Sequence, residues 1–139
     1  MERIPSKFSI NIDYTDLFIG EVSSNPQLFS KIEGNLFILI DNIPVFDENG
    51  ILLLELAKKL NDWICDQQGD FEYYSMDYEE GPILFFKKEI TGYWQFGSIW
   101  MEKVYSDIEL YKIVVASKEF INKLLYELQL KKVDFSNLF

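Results

Sequence analysis

Leu36-Phe37-Ile38-Leu39-Ile40-Asp41-Asn42-Ile43-Pro44-Val45-Phe46 runs directly into Asp47-Glu48-Asn49-Gly50-Ile51-Leu52-Leu53-Leu54-Glu55-Leu56. The first five residues form an unbroken apolar run rich in β-formers, which predicts a strand. Asp41-Asn42 tolerates left-handed backbone, so it can turn the chain back into a second arm, Ile43–Phe46. Asp47-Glu48-Asn49-Gly50 reads as a turn that also starts a helix. After it, Leu52, Leu53, Leu56, Leu60, Trp63 and Ile64 recur at helical spacing, with Lys58, Lys59 and Asp62 on the other face. Gln67-Gln68-Gly69 ends that helix, and Gly69 is the expected left-handed cap.

Upstream, Phe8, Ile10 and Ile12 alternate with polar residues, which predicts a half-buried strand. Thr15–Gln27 is less regular, and Ser23-Ser24-Asn25-Pro26 is a turn signal. Leu28–Ile40 is β-rich, with Gly34 as an expected bulge. Downstream, three strands are expected at about 71–76, 83–88 and 93–102, separated by turns at Gly81-Pro82 and Thr91-Gly92. Ser106-Asp107-Ile108-Glu109 matches the capping-box pattern. A stripe follows it: Leu110, Ile113, Val114, Ser117, Phe120, Ile121, Leu124, Leu125 and Leu128. The β-branched cluster Ile113-Val114-Val115 favours a strand, but the cap and four turns of periodicity outweigh it. Residues 131–139 read as a frayed tail, although Phe135, Leu138 and Phe139 could dock. The expected architecture is one α+β domain over residues 1–139. Its antiparallel sheet has five or six strands, and two helices, about 50–67 and 107–130, lie on one face. The other face is expected to be partly exposed.

The chain has 139 residues, no histidine and a net charge of −10. Without imidazole there is no Ser-His or Cys-His relay and no His-ligated metal. Residues 1–80 carry 16 Asp and Glu against 5 Lys and Arg; residues 81–139 carry 7 against 8. A surface of that sign repels nucleic acid and anionic membrane and steers basic partners toward it. Met1–Lys7 lacks an apolar signal core, and no apolar run approaches the length of a membrane span. A single cysteine allows no internal disulfide. A cytoplasmic location is therefore expected.

The densest polar-aromatic stretch is Asp70–Glu80. From it, Glu72, Tyr74, Asp77, Tyr78, Glu79 and Glu80 are the candidate partner-binding residues, because the turn at Gly81-Pro82 displays its flanks. The plain structural reading is a strand end leading into a solvated acidic loop. Clustered carboxylates could also hold Ca²⁺ or Mg²⁺ or act as an acid/base pair, although EF-hand spacing is absent. On 93–102, Trp94, Phe96, Ser98 and Trp100 share a face by period two, expected to pack under the helices. Gly97 on the opposite face would admit a close neighbour. Cys65, beside Trp63 and Ile64, reads as a buried inert thiol. Ser6, Ser23 and Ser75 lack a nucleophile-elbow context. No glycine-rich phosphate loop is present, and Arg3 is the only arginine. No catalytic residue, metal site or cofactor is expected.

The stretch Phe71–Glu80, with Pro82–Phe86, Trp94, Ser98-Ile99-Trp100 and then Phe120, Leu124 and Leu128, resembles a family of small acidic proteins of Bacillus-like bacteria. The Leu53–Trp63 helix fits the same pattern, and the resemblance spans about residues 30–130. Such proteins are similar to immunity proteins that neutralise polymorphic toxins of the same cell. The resemblance implies stoichiometric inhibition: an acidic surface covers the basic groove of a toxin domain, for example a nuclease. A monomer or homodimer is expected. Two other readings stay open on the residues alone, a carboxylate-based metal binder or enzyme and a homodimeric scaffold.

Overall fold

Period-two alternation of apolar residues builds the first layer. In the computed structural model, which describes residues 8–21, 27–66, 69–136 and 138–139, β1 (Ile10–Ile19) pairs antiparallel with β2 (Ile32–Ile40), and β2 with β3 (Ile43–Leu52). Ile10, Ile12 and Tyr14 lie opposite Ile40, Ile38 and Leu36, so one face carries all six and is buried. Between β2 and β3, Asp41 and Asn42 sit at φ 51° and 65°, the paired left-handed conformation of a tight hairpin turn. Asp41 also ties the turn to the start of β1: its Oδ1 accepts the Ser9 N–H at 2.8 Å. The four-residue helix α1 (Leu28–Lys31) precedes β2. The register slips between Gly34 and Leu36, where the bulge was expected.

The acidic turn expected at Asp47–Gly50 is part of β3, and α2 (Leu53–Asp66) begins where the strand stops. Gly50, at φ 69°, makes the bend that a side chain would resist. Pairing of Ile51 with Gly34 and of Leu52 with Glu33 keeps the chain extended further than the local turn signal suggests. The first turn of α2 is then buried on every side: Leu53, Leu54, Glu55, Leu56 and Ala57 are all inside. A turn buried all round needs neighbours all round. It contacts β2, the long helix α3 (Leu110–Leu130), and β4 (Phe71–Tyr73) of a second sheet.

That second sheet replaces the single sheet of five or six strands expected from sequence. Among the described residues the fold is α+β with two antiparallel sheets, β1-β2-β3 and β4-β5-β6-β7, and three helices. Here β5 is Leu84–Lys88, β6 Trp94–Gly97 and β7 Tyr105–Ile108. The helix packing differs as well, because α2 is not confined to one sheet. α3 lies against β1, where the Tyr14 and Phe120 rings meet edge-to-face at 5.9 Å; α2 reaches both sheets. Trp63 on α2 packs within 6 Å of Phe71, Phe86 and Trp94 of the second sheet. Cys65, two residues on, is exposed rather than buried.

Two strands are shorter than expected for one shared reason. Ser98 Oγ accepts the Trp100 N–H at 3.0 Å and Ser75 Oγ accepts the Asp77 N–H at 3.2 Å. Each serine thereby offers the backbone a turn instead of a ladder. β6 stops at Gly97 and β4 at Tyr73. The period-two face therefore never reaches Trp100: Trp94 is buried and Trp100 is 37% exposed. The close neighbour that Gly97 admits is the Phe85 ring across the ladder.

The capping box does not form. Tyr105–Ile108 is strand β7, with Ile108 buried opposite Trp94, so Ser106 is committed to the sheet. Glu109 stands at the N-cap without a side-chain cap bond. At the other end, Lys132 adopts φ 59°, and the N–H groups of Val133 and Lys132 donate to Leu128 O and Gln129 O. This is the Schellman pattern, and it turns Val133, Phe135 and Leu138 back onto the core, so the tail docks. Arg3, Ser6, the Ser23–Pro26 turn and the Gln67-Gln68 helix end lie outside the described residues.

Two substitutions test the packing. A Cβ at Gly34 would lie 2.8 Å from Leu53 Cδ1 and 2.9 Å from the Thr15 carbonyl oxygen. Gly34→Ala should cost about 1–3 kcal/mol in urea unfolding, because the backbone oxygen cannot step aside. Ser117 Oγ is buried without a hydrogen-bond partner among the described residues. Ser117→Ala should leave stability unchanged or raise it by about 1 kcal/mol; a clear loss would mean the hydroxyl is satisfied.

Candidate functional site

The two serine turns face each other. Ile83 N–H donates to Tyr73 O at 2.8 Å and Ile99 N–H donates to Pro82 O at 3.0 Å, which ties the 74–83 loop to the loop after β6. This brings the Tyr78 and Trp100 rings together at 5.1 Å, nearly perpendicular. Trp100 also stacks on Phe46 of β3 at 6.2 Å, so the indole is anchored to the first sheet although its loop belongs to the second. Tyr78 Oη reaches the Gly50 carbonyl at a long 3.5 Å. Tyr78 is thus half-buried rather than displayed by the turn.

Asp77, Tyr78, Glu79, Glu80 and Trp100 line one open cleft of about 350 Å³. Four of the six candidate residues are therefore brought together. The other two are not in that lining. Tyr74 lies over Gly81 and donates its hydroxyl to Glu72 Oε2 at 3.1 Å, so Glu72 and Tyr74 pair with each other. Sequence reasoning missed Trp100, which it placed in the core; the turn-forming Ser98 was the available signal. It also missed Glu33 and Glu48, distant in sequence. The Tyr78 phenol is held above its ordinary pKa by burial first, then by Asp77, Glu48 and Glu33. Met76 and Ile99 add exposed apolar surface in the same two loops.

Beneath the loop lies a buried carboxylate. Glu55, in the first turn of α2, accepts the Tyr73 hydroxyl at 2.6 Å and, more weakly, the Met76 N–H at 3.4 Å. These donors take the place of water around the carboxylate. The bonds fix the start of the acidic loop to the central helix. Tyr73 is pushed well above the usual phenol range, by burial first and the Glu55 bond second. Tyr14 is shifted the same way, by burial and by its 2.8 Å bond to Glu127 on α3.

Chemically, the cleft offers negative charge beside flat aromatic surface. Among the described residues, no three His, Cys, Asp or Glu side chains gather where they could hold a metal ion, and no helix is long and apolar enough to cross a membrane. These features define a small α+β protein in which a central helix joins two antiparallel sheets and the loops of the second form one acidic, aromatic cleft. Over residues 8–130 the chain matches the family described as Domain of unknown function (DUF7878), and it belongs to that family. No curated protein and no solved structure matches it.

The buried phenols set an alkaline limit on stability. Their folded pKa values lie above the unfolded value near 10, so the unfolded chain loses these protons first as pH rises. The stabilisation they bring is complete below pH 10 and falls above it, by up to about 1.4 kcal/mol per pH unit for each phenol. Urea unfolding at pH 8 and pH 11 should show this loss. Replacing both Tyr14 and Tyr73 by Phe should flatten it; an unchanged slope would assign the loss to other groups.

Proposed function

We propose that the protein is a non-catalytic binding protein that neutralises a basic partner by stoichiometric association. It would act as an immunity protein acts on a toxin domain, for example a nuclease, in the cytoplasm. The observation that carries this reading is the joint display of carboxylates and aromatic rings around one cleft. Asp77, Glu79 and Glu80 stand beside Trp100 and Tyr78, with Tyr74, Met76 and Ile99 exposed in the same loops. Charge of one sign accelerates encounter with a basic surface, and aromatic anchors lengthen the bound state. The absence of histidine from the sequence supports a role without acid/base turnover. A homodimeric scaffold is the second reading. It is favoured by Tyr111, Val115, Tyr126 and Leu130, exposed along α3, and light scattering over a range of concentrations separates it from the first.

The test is the kinetics of association with a basic toxin domain of the same cell, over a salt series. The Debye length shrinks from about 10 Å at 0.1 M to about 3 Å at 1 M, so the on-rate should fall steeply across that range. Neutralising Asp77, Glu79 and Glu80 together (D77N, E79Q, E80Q) should lower the low-salt on-rate by about tenfold and flatten its salt slope. Tyr74→Ala or Tyr78→Ala should act mainly on the off-rate. An on-rate and slope untouched by the triple substitution would place the interface elsewhere.

A further inference from the structure

The 350 Å³ cleft has a feature that a merely acidic surface lacks, a rigid aromatic wall. Trp100 is held by the stack on Phe46, the edge contact with Tyr78 and the Ser98 turn, yet stays 37% exposed. An indole fixed this way has lost its own freedom before any ligand arrives, which favours binding. Asp77, Glu79 and Glu80 share the lining with it, and among the described residues none of the three forms an ion pair. Glu33 and Glu48 add to the field felt at Tyr78. The protein also seats its own cations on rings: the Lys123 ammonium lies 4.4 Å from the Tyr14 ring centre and that of Lys87 4.9 Å from the Phe85 ring. Among the described residues no ammonium is seated on the Trp100 ring, so an outside cation can take that place.

We propose that the cleft between Trp100 and the Asp77–Glu80 loop is a pocket for a single guanidinium side chain, an arginine that the basic partner inserts there. This rests on the reading of the same face as the docking surface. A guanidinium fits both halves of the lining: its plane stacks on the indole, and its fork of N–H donors meets carboxylates bidentately. An ammonium satisfies the charge but not the flat wall. A neutral side chain satisfies neither.

The full chain labelled with 5-fluorotryptophan reports on this directly, because Trp63, Trp94 and Trp100 give three fluorine signals. Trp100→Phe assigns the third. Acetyl-arginine amide, titrated at constant ionic strength, should move the Trp100 signal saturably, with a Kd on the order of 10 mM, while Trp63 and Trp94 stay still. Acetyl-citrulline amide, the neutral isostere, should not move it, and acetyl-lysine amide should bind several-fold more weakly. Glu79→Gln with Glu80→Gln should weaken arginine binding about fivefold. A linear response, equal effects of arginine and citrulline, or lysine as good as arginine would overturn the pocket. The two readings fail separately. Loss of the arginine response, with the partner on-rate still dependent on Asp77, Glu79 and Glu80, removes the pocket and keeps the docking face. A saturable arginine response with an indifferent partner on-rate removes the docking face.

Discussion

The first turn of α2 buries Leu53, Leu54, Glu55, Leu56 and Ala57, which together go round its circumference, and every one of them has to be covered. One sheet can cover one side. The chain meets the constraint with two sheets and α3, so α2 touches β2, β4 and α3 at once. Glu55 occupies the same turn and cannot be covered by hydrocarbon alone. Its carboxylate draws the Tyr73 hydroxyl and the Met76 N–H onto it, and with them the base of the acidic loop. The helix that organises the core therefore also positions the candidate site.

The site itself is built from loops on a rigid frame, the usual division of labour in binding proteins. Two serine turns end β4 and β6 at matching heights, and the chain they release carries Tyr78 and Trp100 into contact. Trp100 then leans on Phe46, so the first sheet braces a wall of the cleft. Carboxylates of the 77–80 loop line it, and Glu33 and Glu48, from β2 and β3 far along the chain, add to the field at Tyr78. On the acidic edge strand β3, exposed Asp47 and Glu48 also discourage pairing with another chain.

Much of the fold was legible because its signals are local. The Asp41-Asn42 hairpin, the Gly34 bulge, the body of both long helices and the buried stripe from Ile113 to Leu128 follow from turn chemistry and periodicity. The α+β class follows with them. Four of the five residues that line the cleft were legible in the same sense: Asp77, Tyr78, Glu79 and Glu80 stand out as a run. The fifth, Trp100, and the Glu33 and Glu48 charges felt at Tyr78 come from elements whose proximity no local pattern encodes.

The sequence alone determined a histidine-free, acidic α+β chain with both long helices and most of the strands, since backbone preference and apolar spacing act over a few residues. Only the tertiary structure decided that the strands part into two sheets, that Ser106–Ile108 pairs in β7 rather than capping α3, and that the Glu55 carboxylate is buried. Each depends on burial against a partner far along the chain. The gain from covering Ile108 beside Trp94 outweighs a cap worth about 1 kcal/mol. Long-range burial of that size overrides local signals, and it seats Trp100 at the rim of an acidic cleft instead of in the core.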